Sequence, residues 1–323
     1  MGHDLTTRRT VATAIGATLF CGVASAAKSQ SFTLERRYAP ASHLQQQDAE
    51  DYLPPSDLKV VADIYRRMTV PVRINGAGPF GFVVDTGANQ SVIAKDLADQ
   101  LGLPLGPPAP LNGVAGVQIA PTTTAGLEIG RRVLAGQTLS VLPHPGIGGL
   151  GMLGLDTIGE SSLTLDFAGK NLRIDSGREN WRDPDAAVVK ARRRDGQLTL
   201  VNVFLGEMPL TAFIDSGAEN TIGNMALRQM AFTRNQTGAW TKSSIISSTG
   251  QTMPAEIADL QDLRVGNFRV SLWPVAFADL HTFRMWDMVD KPAILIGVDI
   301  LSRFQSVCLD FARDEVRFRM ARA

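Results

Sequence analysis

Apolar positions along this chain alternate with polar ones in short runs, broken every few residues by glycine or a polar turn. "TVPVRING" (Thr69–Gly76) and "LTLVNVFLG" (Leu198–Gly206) alternate at a period of two, the signature of half-buried strands. "FGFVVDTGANQSVI" (Phe80–Ile93) and "LTAFIDSGAENTIG" (Leu210–Gly223) differ: an apolar strand runs straight into Asp-Thr-Gly or Asp-Ser-Gly and stops. "AKDLADQLGL" and "MALRQMAF" have helical spacing, and each follows one of these acidic turns.

The elements recur in the same order. After the first acidic turn come "LNGVAGVQIAPTTTAGLEIG", "GMLGLDTIG" and "LTLDFAGKNLRI"; after the second come "SSTGQTMPAEIADLQDLRVG", "AILIGVDILSRF" and "VCLDFARDEVRF". The closing segments match best, Leu165-Asp166-Phe167 against Leu309-Asp310-Phe311. The expectation is a mostly-β chain built from a repeated unit, with a first lobe over 67–178, a linker over 179–196 and a second lobe over 197–323. The linker expectation rests on charge and on Pro184. Its Arg192-Arg193-Arg194 run reads as a solvated face. The second unit carries an insertion, "FADLHTFRMWDMVDKP", whose Trp286 is expected to pack on its own lobe, with a place lining a substrate groove as the alternative.

Composition narrows the class. The 323 residues are 44% hydrophobic and include 30 glycines, which suits many short strands and turns. Lys+Arg and Asp+Glu are equal at 32 each, and no basic stripe stands out, so nucleic acid is not an expected partner. The N-terminus reads as an export signal over 1–26. Arg8-Arg9 precede an apolar run from Val11 to Val23, and Ala24-Ser25-Ala26 fits a cleavage site. The run is too short for a comfortable membrane span, so no stable span is expected after cleavage. The expected location is a bacterial periplasm, and the paired arginines hint at twin-arginine export. Cleavage would remove Cys21 and leave Cys308 alone in a strand-like run, which excludes an intramolecular disulfide. Residues 27–66 read as a polar arm or pro-segment; Asp57–Met68 allows one short helix. In the pro-segment reading the arm covers the groove and Arg36, Arg37 or Lys59 pairs the acidic turns.

The acidic turns carry the chemistry. Each delivers a carboxylate, Asp85 or Asp215, at the end of an apolar strand. Gly87 and Gly217 permit a tight turn and close approach of two backbones. Thr86 and Ser216 can hydrogen-bond into the opposite turn. If the turns meet, the two carboxyls lie within about 3 Å and share one proton. One can then deprotonate a water while the other protonates a carbonyl oxygen. Four histidines, none at metal-ligand spacing, give no expectation of a metal, and no motif calls for a cofactor.

The chain resembles the retropepsin-like aspartic proteases, in a bacterial exported form with two lobes fused in one chain. The resemblance runs from about Thr69 onward. It is carried by Asp85-Thr86-Gly87-Ala88, Asp215-Ser216-Gly217-Ala218, and the downstream Met152-Leu153-Gly154 and Leu295-Ile296-Gly297. It implies two β-barrel lobes forming a pepsin-like bilobal pseudo-dimer, Asp85 and Asp215 as catalytic acids, and an extended peptide substrate. It also implies hairpin flaps near Ala115-Gly116 and Thr249-Gly250, with Gly116 and Gly250 at the tips. A monomer is expected, because both half-sites lie in one chain. Asp156 and Asp299 follow the downstream glycines and read as helix N-caps. Family members working in strong acid often carry Ser or Thr at the positions of Ala88 and Ala218. Without those hydroxyls the expected activity maximum is about pH 5–7. The competing expectation is a peptide-binding module that uses the same groove without hydrolysis.

Overall fold

The computed structural model describes residues 32–34, 56–62, 67–159, 161–175, 186–194, 197–234 and 237–320. The export signal, Arg36 and Arg37 lie outside the described residues. Among those described, 24 strands and six short helices make a mostly-β, multi-lobe fold of the retropepsin-like type.

In the first half, six strands close on themselves: Met68–Ile74, Ala77–Val84, Gly151–Leu153, Val92–Ala94, Arg132–Leu142 and Gly116–Ile129, the last pairing back to the first. Alternation explains the closure. In Met68–Ile74 every second residue, Met68, Val70, Val72 and Ile74, is buried while Pro71 and Arg73 face out. Ala77–Val84 ends in three buried residues, Phe82, Val83 and Val84, because its last turn runs through the interior. There it pairs in parallel with Gly151–Leu153, Val84 opposite Leu153. A Cβ on Gly151 would stand 2.6 Å from Phe82 Cδ1, so the close strand approach requires glycine. The second half repeats this pairing: Met208–Ile214 runs parallel to Ala293–Ile296, with Ile214 opposite Ile296.

The two closing hairpins do not stay in separate lobes. Ser162–Asp166 pairs antiparallel with Ser306–Asp310, Leu163 opposite Leu309 and Leu165 opposite Val307. The resulting sheet continues through Asn171–Asp175 to Ser56–Lys59 on one side, and through Glu315–Arg319 to Ala186–Arg194 on the other. Its inward leucines and Phe318 are buried.

Two expectations are corrected here. The helix allowed over Asp57–Met68 does not open as one: Ser56–Lys59 and Val61–Ala62 are strands, the first pairing Asn171–Asp175 as a sheet edge. Its alternation was too short to be separated from a helical turn by period alone. The segment expected as a linker contains the strand Ala186–Arg194, which pairs both Gln197–Leu205 and Glu315–Arg319. Charged residues populate it because its outer positions face solvent, Arg192 and Arg193 among them.

Candidate active site

Each acidic turn is positioned by the parallel strand pair behind it. The Asp85 N–H donates to Leu153 O at 2.9 Å, and the Asp215 N–H to Ile296 O at 3.0 Å. The chain then turns back on its own carboxylate. Asp85 Oδ1 accepts from the Gly87 and Ala88 N–H groups at 2.8 and 3.0 Å. Asp215 Oδ1 accepts from Gly217 and Ala218 at 2.8 and 3.1 Å. Both side chains are buried, each 8% exposed.

The turns interlock. The Thr86 N–H donates to Ser216 Oγ at 3.1 Å, and the Ser216 N–H to Thr86 Oγ1 at 3.0 Å. The hydroxyls pass on their own protons: Thr86 Oγ1 donates to Ile214 O at 3.0 Å and Ser216 Oγ to Val84 O at 2.8 Å. This four-bond lattice brings each glycine against the opposite acid. A Cβ on Gly87 would stand 2.5 Å from Asp215 Oδ2, and one on Gly217 2.5 Å from Asp85 Oδ1. These reciprocal contacts set the two carboxyls side by side, where the Asp85 charge acts on Asp215.

Burial raises both acids above the ordinary Asp range. At Asp85 the Arg67 charge opposes that rise, followed by the Gly87 N–H. Asp215 is held well above the ordinary range, by burial first and by the Asp85 charge second. Like charges this close resist ionising together, which favours a single proton shared by the pair.

Behind each turn stands a matching clamp. Asp156 accepts from the Ser91 N–H and Oγ at 2.9 and 2.6 Å; Asp299 accepts from the Thr221 N–H and Oγ1 at 3.1 and 2.7 Å. Ser91 Oγ accepts in turn from the Gly154 N–H, and Thr221 Oγ1 from the Gly297 N–H. The N-cap expectation is thereby corrected: Gly154 and Gly297 occupy the cap positions, and neither helix has a side-chain cap bond. The helices are single turns, and the nearest donors seeking a carboxylate belong to the acidic loops. Sequence reasoning missed Ser91 and Thr221, although both stand six residues past their aspartate.

Lys59 does not approach the dyad; it is exposed on the sheet edge opposite Asn171. Among the described residues Arg67 brings a cation to the site, buried at the mouth of the first strand, with Nη2 donating to Ile147 O at 2.6 Å and Nη1 to Gly217 O at 3.4 Å.

Gly116 lies at the tip of the hairpin Leu105–Gly113/Gly116–Ile129, and Gly250 at the tip of Thr241–Ile246/Thr252–Leu260. Both have positive φ, 141° and 83°, where glycine is favoured. Each hairpin tip rests on the other half of the chain. Val114 O accepts from the His281 N–H at 2.8 Å. The second tip sits on Gly146, where a Cβ would stand 2.8 Å from the Ser248 carbonyl carbon. Trp286 stacks on Phe213 at 4.0 Å, two residues ahead of Asp215, so the insertion packs on its own half. Leu280 and Phe283, from the same insertion, share that cluster, against which Val114 of the opposite hairpin packs.

Residues 70–157 match the family model of the aspartyl proteases. The aspartyl protease match takes in Asp85-Thr86-Gly87 and the strand through Gly154 behind it, and supports a family of the retropepsin type. It ends before the second acidic turn. No curated protein matches the chain. Among the described residues no group of three or more His, Cys, Asp or Glu is placed to hold a metal. His144 is instead bonded through Nδ1 to Asp96 Oδ2 at 2.7 Å. Cys308 is buried in the interlobe sheet, where burial pushes its thiol up and away from reactivity. Among the described residues no helix is long and apolar enough to cross a membrane.

Proposed function

We propose that this chain is an aspartic endopeptidase, active as a monomer, that hydrolyses peptide bonds of protein substrates through Asp85 and Asp215. The carrying observation is the reciprocal packing of each turn glycine on the other turn's carboxyl, which brings the two buried acids together.

The chemistry follows from one shared proton. With one carboxyl ionised and one protonated, the ionised member takes a proton from a water held between them. As that water's oxygen bonds to the peptide carbon, the protonated member gives its proton to the carbonyl oxygen, forming a neutral gem-diol. The charges of the two acids are then exchanged. On collapse, the acid protonated by the water gives that proton to the departing nitrogen. The other recovers its own from a gem-diol hydroxyl as the C–N bond breaks. The dyad ends as it began, and no covalent enzyme intermediate forms.

The substrate is read as an extended chain lying beneath the two hairpins and hydrogen-bonded through its backbone. Because the tips rest on opposite halves, entry requires the Val114–His281 and Gly146–Ser248 contacts to part. Gly116 and Gly250, at positive φ, supply the backbone freedom at the tips. Export to a bacterial periplasm is proposed from Arg8-Arg9, the apolar run and Ala24-Ser25-Ala26.

The test is cleavage of an unfolded protein by the purified chain. Asp85→Asn and Asp215→Asn should each abolish cleavage with the far-ultraviolet circular dichroism unchanged. Cleavage surviving either substitution sinks the reading. Stable peptide binding with no product after long incubation assigns the groove to a binding module instead.

A further inference from the structure

The two acids sit in matching turns but not in matching surroundings. Arg67 and Gln197 each stand eighteen residues ahead of the aspartate of their own half. Each reaches across to the opposite acidic turn and donates to the carbonyl of its glycine. Arg67 Nη1 meets Gly217 O at 3.4 Å; Gln197 Nε2 meets Gly87 O at 3.2 Å. Both are buried, at 6% and 2% exposure. Gly217 is the residue pressed on the Asp85 carboxyl, and Gly87 the one pressed on Asp215. A guanidinium therefore lies one residue beyond Asp85, and a neutral amide one residue beyond Asp215.

We propose that Arg67 is a positioning residue that breaks the symmetry of the dyad and fixes the shared proton on Asp215. Asp85 is then the base that deprotonates the water, and Asp215 the acid that protonates the substrate carbonyl. The assignment rests on the aspartic-peptidase reading above.

In a water-poor site a cation favours the ionised form of the nearer carboxyl, and an amide of no net charge does not. Two coupled acids in equal surroundings would divide the proton evenly between two microstates; unequal surroundings make one dominate. The same ordering appears in the acids themselves, since Arg67 is the leading influence opposing burial at Asp85, whereas Asp215 is raised further by Asp85. Asp156 and Asp299 are tied to Ser91 and Thr221 behind the turns. Glu219 stands four residues past Asp215, where Asn89 stands four past Asp85 and accepts from Gln197 Nε2 at 3.1 Å. The turn that Arg67 reaches thus carries two opposite charges, Arg67 and Glu219, of which Arg67 is the one that acts on Asp85, while the turn that Gln197 reaches is neutral.

The test titrates one acid at a time, by carboxyl 13C NMR. In Asp85→Asn the surviving Asp215 should titrate at clearly higher pH than the surviving Asp85 does in Asp215→Asn. Adding Arg67→Gln should raise Asp85 and close most of the gap, and Arg67→Lys should restore it. Gln197→Arg leaves Arg67 in place and serves if Arg67→Gln does not fold; it should lower Asp215 and narrow the gap from the other side. In the cleaving enzyme, Arg67→Gln should move the acid limb of kcat/KM to higher pH, with a several-fold loss at the wild-type midpoint, and Arg67→Lys should move it back. A gap that is absent or reversed overturns the proposal, as does one indifferent to both Arg67→Gln and Gln197→Arg. Peptide cleavage alongside such a result leaves the peptidase reading intact. The expected gap in a protein that cuts no peptide removes that reading and keeps the charge asymmetry.

Discussion

Thr86 and Ser216, 130 residues apart in sequence, exchange backbone N–H and side-chain hydroxyl bonds across the interface between the two acidic turns. Both are 1% exposed, so removing either hydroxyl strands a buried N–H and a carbonyl. A buried unsatisfied group costs about 1–3 kcal/mol. Thr86→Val and Ser216→Ala should each lower stability by about that amount in urea unfolding. The double variant should lose less than the sum, because the lattice fails as a unit. Cleavage should fall with either, since the dyad loses its fixed spacing.

Glycine at 87 and 217 is demanded by the neighbouring acid, not by backbone conformation. Gly87→Ala or Gly217→Ala places a methyl carbon on the opposite carboxyl and should abolish cleavage. Gly81→Ala, in the strand leading to the same turn, meets nothing within 4 Å and should leave cleavage near wild type. Equal loss in all three variants would show that strand flexibility, not dyad contact, governs the site.

The raised dyad makes a signed prediction about stability. A carboxyl whose folded-state pKa exceeds its unfolded value, 3.8 for Asp, stabilises the fold fully below that value. The contribution is lost as pH rises through the folded pKa. At neutral pH the dyad is therefore a net burden, and Asp215→Asn should melt higher than wild type. The gap should shrink toward strongly acid pH, where both carboxyls of the wild type are protonated. Thermal melts across the pH range read this directly. With alanine at 88 and 218 no hydroxyl supports the ionised acids, so the expected activity maximum is about pH 5–7, and a maximum below about pH 3.5 would contradict it.

Trp286 stacks on Phe213 and is buried, 3% exposed. Truncating a buried large aromatic costs about 3–5 kcal/mol. Trp286→Ala should destabilise the second half by that order in calorimetry. It should also loosen the His281–Val114 contact, so any residual activity should show a raised KM.

Much of the site was legible because its signals are local. The acidic turns follow apolar strands, and their glycine and hydroxyl neighbours are contiguous with them. The period-two runs likewise mark the strands of the first barrel. The misreadings fall where a residue's partner is remote. Asp156 looks like a helix cap because its true donors, on Ser91, lie 65 residues away. Ala186–Arg194 looks like a linker because the strand it pairs, Glu315–Arg319, lies at the far end of the chain. Asp57 to Met68 was too short a stretch for its period to be read.

The sequence by itself determined the two half-sites: which acids are presented, on what turns, and with what neighbours, since backbone period and turn chemistry act over a few residues. Only the tertiary structure decided that the turns interlock, that the closing hairpins fuse into one sheet, and that Arg67 flanks one acid while Gln197 flanks the other. Hydrogen bonds and charges act through distance in space, and the chain leaves that distance open until it folds.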